Sequence, residues 1–229
     1  KKVLTSSSQP EVAVIQGVLE LLHENNINSS DIKMIIHGTT LATNAIIERK
    51  GAKTCFITTE GFRDVLDIGY ESRFDQYDIL IEKTMSIVPR KHRFVIEERT
   101  DINGNIIKPI STKKFNSLVE TIKNEKFESI GIGFLHSYAN SKNENELKEF
   151  LLKYLPEVEV SISSDVCPEI REYERFTTTV VNSYIKPLMS RYLKKLDSEL
   201  KQKRFNCPLL LMTSGGNVTN VKSACNNPV

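Results

Sequence analysis

The chain has 229 residues, with 31 Lys and Arg against 29 Asp and Glu, so its net charge is +2 and charged side chains make up 26%. That length allows one large domain or two small ones with a sizeable core, and the near balance of charge calls for no nucleic acid. No apolar run approaches the ~20 residues that span a bilayer and no signal peptide is visible, so no membrane is expected as a partner either. Cys55, Cys167, Cys207 and Cys225 are scattered, with no CxxC pair. That pattern argues against a disulfide framework and a zinc site and fits a reducing cytoplasm.

Residues 10–24 carry Val12, Ile15, Val18, Leu19 and Leu22 at helical spacing, with Ser8 as a cap. Residues 31–37 read as a short buried strand, 39–50 as a helix ended by Gly51 at C′, and 52–58 as the next strand. Together they predict a right-handed parallel βαβ unit. Its two polar turns, Gly-Thr-Thr and Thr-Thr-Glu-Gly, are then neighbouring loops beyond the carboxyl ends of strands, where ligands bind in open α/β sheets.

The stretch 61–87 is irregular, 93–99 alternates like a half-buried strand, and 101–105 is a hairpin signal. Helices are predicted over 112–124 and 143–154, and strands over 129–134 and 157–163. A long helix over 172–201, with Pro187 as its point of bending, and a last strand over 208–212 complete the pattern. The basic blocks at 90–93 and 201–204 read as solvated faces, since no aromatic residues interleave with them. The chain opens on Lys1 without a start methionine and stops soon after a Gly-Gly turn, which reads as a fragment.

Several residues could carry chemistry. Gly38 allows close backbone approach, Thr39 can cap the following helix and leave its first N–H groups to an anion, and His37 stands at the strand end. Thr40 and Asn44 share a helix face at i, i+4. Arg63 and Asp64 can grip a carboxylate or phosphate, or tie down a loop. Arg171 and Arg175 fall on one helix face in a charged run typical of a surface helix start, while Asn182 and Tyr184 could line a cleft. Ser214, Gly215 and Gly216 are similar to a backbone anion nest. The histidines show no metal-ligand spacing, and Cys55, in an apolar strand, is expected to be a buried thiol and no nucleophile.

The segment HGTTLATNAIIERKGAKTCFITTEGFRDVLDIG resembles the signature region of the hydantoinase/oxoprolinase family. The likeness continues in IVPRKHRFVIEERTDINGNIIKPI, IGIGFLHSYANSKNE, PEIREYERFTTTVVNSYIKPLMSRYLKKL and LLLMTSGGNVTN. It implies an α/β fold of the actin/hexokinase-like (ribonuclease H-like) ATPase type, partial, with mixed sheets flanked by helices. It also implies that ATP and Mg²⁺ serve the parent protein in phosphorylating a carbonyl or amide oxygen of a small molecule. The substrate is then a cyclic amide such as hydantoin or 5-oxoproline, with a ketone carboxylase subunit or a non-catalytic scaffold as the alternatives.

A second subunit of the hydantoinase B type and an oligomer are implied as well. Residues 1–165 correspond to the family's N-terminal region without its first phosphate loop, and 166–229 to the start of the next region, before the second loop. On that reading this piece alone binds no ATP and is inactive. His37, Thr39, Thr40, Asn44, Arg63 and Asp64 are placed near the substrate or phosphate cleft, and Ser214, Gly215 and Gly216 on the nucleotide side. The family often has Arg-Pro where Arg73 precedes Phe74 here, so the 70–78 loop is expected to differ in substrate contact.

Overall fold

A computed structural model describes residues 1–4, 9–70, 77–81 and 85–229. Ser8, Arg73 and Phe74 lie outside the described residues. In chain order the elements begin with α1 (Pro10–Glu24), β1 (Ile35–His37), α2 (Leu41–Ile47), β2 (Thr54–Thr59) and α3 (Val65–Ile68). Then come β3 (Arg93–Ile96), β4 (Arg99–Thr100), β5 (Ile106–Lys108), α4 (Phe115–Asn124), β6 (Ser129–Gly133) and α5 (Lys142–Tyr154). The series ends with β7 (Glu159–Ile162), α6 (Ser163–Val166), α7 (Glu172–Gln202), β8 (Leu209–Met212), β9 (Val218–Asn220) and α8 (Val221–Asn226). The chain folds as two compact units, one made of Lys1–Ile47 with Leu188–Pro228, the other of Glu48–Pro187 with Val229.

The second unit is built on a four-stranded sheet of order β3-β2-β6-β7, parallel throughout. Parallel strands need both faces covered, and the alternation of side chains decides what covers each. Cys55, Ile57, Ile130 and Ile132 point to one face, where they pack with Phe115, Leu118 and Ile122 of α4 and Leu147 and Leu151 of α5. Phe56 points to the other, against Phe176 and Val180 of α7. On that face β6 offers Ser129, Gly131 and Gly133 and no bulky side chain. A Cβ on Gly133 would stand 2.5 Å from the Phe176 ring, and one on Gly131 would stand 3.0 Å from Ser183 Oγ. The Ser-Ile-Gly-Ile-Gly run thus gives isoleucines to one helix layer and close backbone approach to the other.

The first unit holds a mixed sheet, β1-β8-β9, with β1 parallel and β9 antiparallel to β8. The predicted βαβ unit does not form: β1 pairs with β8, while β2 pairs with β3 and β6 in the other sheet. All six residues of β2 are buried, so this strand needs a neighbour on each side and helices on both faces. The four-stranded sheet provides these.

Three further differences have local causes. The helix after β1 ends at Ile47, and Arg49 takes the left-handed turn at φ 56°, so Gly51 is not its C′ residue. Gly51 is required for another reason, since a Cβ there would lie 2.2 Å from the Tyr184 ring. In α1 the stripe is rotated: Val12 is 47% exposed, while Glu11, Ala13 and Ile15 are buried. Glu11 turns inward to an ion pair of 2.5 Å with Lys195. The long helix runs through Pro187, which lacks the N–H that would bond the carbonyl four residues back. Among the described residues no helix is long and apolar enough to cross a membrane.

Candidate functional site

In the first unit β1 and β8 run parallel, with His37 opposite Leu211, so the turns that leave their carboxyl ends emerge side by side. The structure therefore brings His37, Gly38, Thr39 and Thr40 to the same sheet edge as Ser214, Gly215 and Gly216. A Cβ on Gly38 would be 4.0 Å from that of Met212. Thr39 Oγ1 accepts the Leu41 N–H at 3.2 Å and so caps α2. Asn44 Nδ2 lies 3.5 Å from Thr40 Oγ1, at the limit of a hydrogen bond. Thr39, Thr40 and Asn44 are exposed, so their polar groups are open to a ligand. With seven residues α2 is too short to lend a strong N-terminal anion site, contrary to the expectation from its cap.

His37 is held differently from its neighbours. Its Nε2 is 2.8 Å from the Tyr192 hydroxyl, and burial lowers its pKa, so the ring is neutral near pH 7. Burial, with the charge of Glu11 adding to it, pushes the Tyr192 hydroxyl up to about 12. Tyr192 was not readable as a partner in sequence, because 155 residues separate it from His37.

The Gly-Gly stretch is the turn of a hairpin, formed because β9 folds back on β8. Thr213 N donates to Asn217 O at 2.8 Å and Gly216 N to Thr213 O at 3.0 Å. Gly216 sits at φ 80° with open space around the position of a Cβ, and Ser214 and Gly215 are exposed. This is a turn that a phosphate can approach closely, and in that respect the residues fit a nucleotide. Among the described residues no three His, Cys, Asp or Glu side chains converge as a metal site.

Arg63 and Asp64 belong to the second unit, whereas the residues above belong to the first. Asp64 accepts both Arg90 Nε, at 2.8 Å, and an Arg90 terminal nitrogen, at 3.0 Å. The Arg90 hydrogen bond and charge hold its pKa down. Arg63 in turn donates to the Arg90 carbonyl at 2.9 Å. The pair ties the loop to the 90–92 turn, and a ligand would have to compete with Arg90.

Sequence reasoning missed a buried polar network beyond the carboxyl ends of β2 and β6. Glu98 is 3% exposed; it accepts the Thr59 hydroxyl and, at 2.8 Å, Asn143 Nδ2, and burial raises its pKa. Glu144 accepts Phe134 N at 2.9 Å, Ser163 Oγ at 2.6 Å, and both Ser164 N and Oγ at 2.9 and 2.7 Å. Arg175 is fully buried, contrary to the surface position expected from its charged run. It donates to the carbonyls of Phe134, at 2.9 Å, and Glu169, at 2.6 Å, and to Ser163 Oγ. The signal lay in the spacing, for Arg175 shares a helix face with Thr179 and Ser183, both buried.

Asn182 and Tyr184, expected beside a cleft, are also core residues: Asn182 donates to Ser161 Oγ at 3.1 Å, and Tyr184 packs on Gly51. Cys55 is buried and its pKa is raised by burial, so it is no nucleophile.

Comparison with known proteins gives these features a context. The profile of the hydantoinase/oxoprolinase N-terminal region matches residues 1–155, and that of hydantoinase/oxoprolinase matches residues 175–229. An uncharacterised protein of Methanocaldococcus jannaschii is 38% identical over 99% of this chain and 33% of its own length. The caprolactamase alpha subunit of Pseudomonas jessenii is 31% identical over 82% of this chain and 27% of its own.

The crystal structure of the ATP-dependent caprolactamase from that organism superposes with a TM-score of 0.87 at 27% identity, covering 96% of this chain and 33% of the other. A nucleotide-free structure of acetone carboxylase gives 0.86 at 20% identity, over 97% and 34%, a likeness of fold alone. The chain thus spans about a third of the length of these relatives, and its α/β fold, with sheets flanked by helices, is theirs. From its matched residues and its fold, the chain belongs to the hydantoinase/oxoprolinase family.

Proposed function

We propose that the protein to which this chain contributes is an ATP-dependent hydrolase that opens a small cyclic amide. The observation that carries this reading is the likeness to the ATP-dependent caprolactamase, which holds in sequence and in fold over most of the chain. ATP, with Mg²⁺, would supply the phosphoryl group that activates the amide oxygen. The paired turns of the first unit are where this chain would meet the reactants. Ser214, Gly215 and Gly216 present an exposed hairpin turn suited to phosphate oxygens. Thr39, Thr40 and Asn44 offer hydroxyls and an amide to orient the substrate, and a neutral His37 can hold a proton beside them. Arg63 and Asp64 would take part only by exchanging their bonds to Arg90. A second subunit is part of the proposal, since the caprolactamase relative is itself named as a subunit.

The other reading is a ketone carboxylase subunit, favoured by the fold shared with acetone carboxylase. Incubating the intact protein, with its partner, with ATP and either a lactam series or a ketone with bicarbonate separates the two. Lactam-dependent ATP consumption with release of the ring-opened amino acid is expected. Ketone-dependent ATP consumption with a carboxylated product would replace it with the second reading.

A further inference from the structure

We propose that the groove beside β3 in the second unit docks an extended acidic peptide segment of a partner protein, paired to the free edge of that strand. β3 is the edge of the four-stranded sheet, and a cavity of about 270 Å³ lies between it and α4. The backbone hydrogen bonds fix which way the strand faces. Ile96 O accepts Glu60 N, on the β2 side, and Glu97 O accepts Ser111 N. Successive residues of a strand point their N–H and C=O groups to opposite sides, so Phe94 and Ile96 face β2 while Val95 faces outward. Among the described residues no strand pairs with that outward side. On that side Arg93 N–H already donates to Arg90 O and Glu97 O is taken by Ser111 N, so the N–H and C=O of Val95 between them are the template for an added strand.

The charge of the groove selects the occupant. Arg63, Lys91 and Lys114 line it, together with apolar Leu118, and no carboxylate does among the described residues. Lys91 forms no ion pair among them, and Lys114 has only a loose one, 3.7 Å to Glu60. Arg63 Nε is buried there without a hydrogen-bond partner. Lys91 precedes the strand and Lys114 stands beside Glu60 at its far end. An extended peptide with acidic residues four apart, about 13 Å, would present one carboxylate toward each end of β3 with an apolar residue between them. A phosphate ion would meet the cations but leave Val95 and Leu118 uncovered.

The test uses the intact protein and a fluorescein-labelled peptide containing Glu-Thr-Val-Thr-Glu, read by anisotropy. Saturable binding is expected. Methylating the interior peptide nitrogens one at a time should weaken it about tenfold at alternate positions only, the period-two signature of strand pairing. The exposed double change Lys91→Glu with Lys114→Glu should weaken it about tenfold as well, with the circular dichroism spectrum unchanged. Absence of binding, a flat methylation profile, unchanged affinity in the double variant, or full displacement by millimolar phosphate would each overturn the proposal.

Discussion

Gly133→Ala adds a single methyl group to the middle of the second unit, and the structure sets its cost. The new Cβ would stand 2.5 and 2.7 Å from two carbons of the Phe176 ring and 2.8 Å from the tip of Phe56. Carbon atoms rest at ~3.5–4.0 Å, so about 1 Å of overlap must be relieved against two rings at once. Neither ring can swing into solvent, since Phe176 is 0% and Phe56 1% exposed. Overpacking of this kind costs about 3 kcal/mol, the upper end of its usual range. With an m-value of ~2 kcal/mol/M, the urea midpoint should fall by about 1.5 M. The chain has no tryptophan, so unfolding is best followed by far-ultraviolet circular dichroism. Gly215→Ala is the control, because the nearest atom to its Cβ is 4.0 Å away and φ is not positive; it should leave the midpoint where it is. Phe176→Leu added to Gly133→Ala should recover part of the loss. A Gly133→Ala midpoint within ~0.3 M of wild type would refute the close-packing account of β6.

Asp67→Ala should cost about 2 kcal/mol, less than the ~3–5 of a wholly buried pair, because Asp67 is half exposed while Arg93, its bidentate partner at 2.7 Å, is buried; a denaturation midpoint checks it, and Arg93→Met in the same chain should restore most of it. The pKa of Glu98 is raised in the folded state, so the native protein binds its proton more tightly than the unfolded chain does. The stability of wild type relative to Glu98→Gln should therefore fall as pH rises above the ordinary value of 4.5, and a relative stability that rises would contradict the burial assignment. His37 has the opposite linkage: its pKa is lowered, so it costs stability as pH falls below 6.5, and His37→Gln should flatten that limb of the pH–stability curve. Thr40→Ala and Asn44→Ala, at exposed positions, should change stability by less than ~0.5 kcal/mol while lowering lactam-dependent turnover of the intact protein about tenfold or more; unchanged turnover would remove them from the site.

Much of the fold could be read where a single local rule decides it. Pro at the first position and a run of apolar residues set α1 at 10–24, and Asp101 accepting the Asn103 and Asn105 N–H groups makes the predicted turn between β4 and β5. What could not be read depends on distant partners. β9 has three residues and no alternation, and it exists because β8 offers an edge. β1 and β2 looked like one unit because proximity in sequence was the only guide, while β1's partner lies more than 170 residues on. The candidate site divides in the same way. Gly-Thr-Thr and Ser-Gly-Gly showed themselves as polar turns, but their adjacency comes from the β1–β8 register. Arg175 looked like a surface charge because its acceptors, two carbonyls and a serine hydroxyl, carry no sequence signal.

The peptide at Phe134 is bracketed by charge, its N–H given to Glu144 and its C=O taken by Arg175, both buried. To swing the loop that leaves β6 would mean breaking two charge-assisted hydrogen bonds at once in the interior, one at a buried carboxylate and one at a buried guanidinium. That loop is therefore a fixed point of the second unit, and the Phe134 amide should exchange with solvent deuterium only when the whole unit opens.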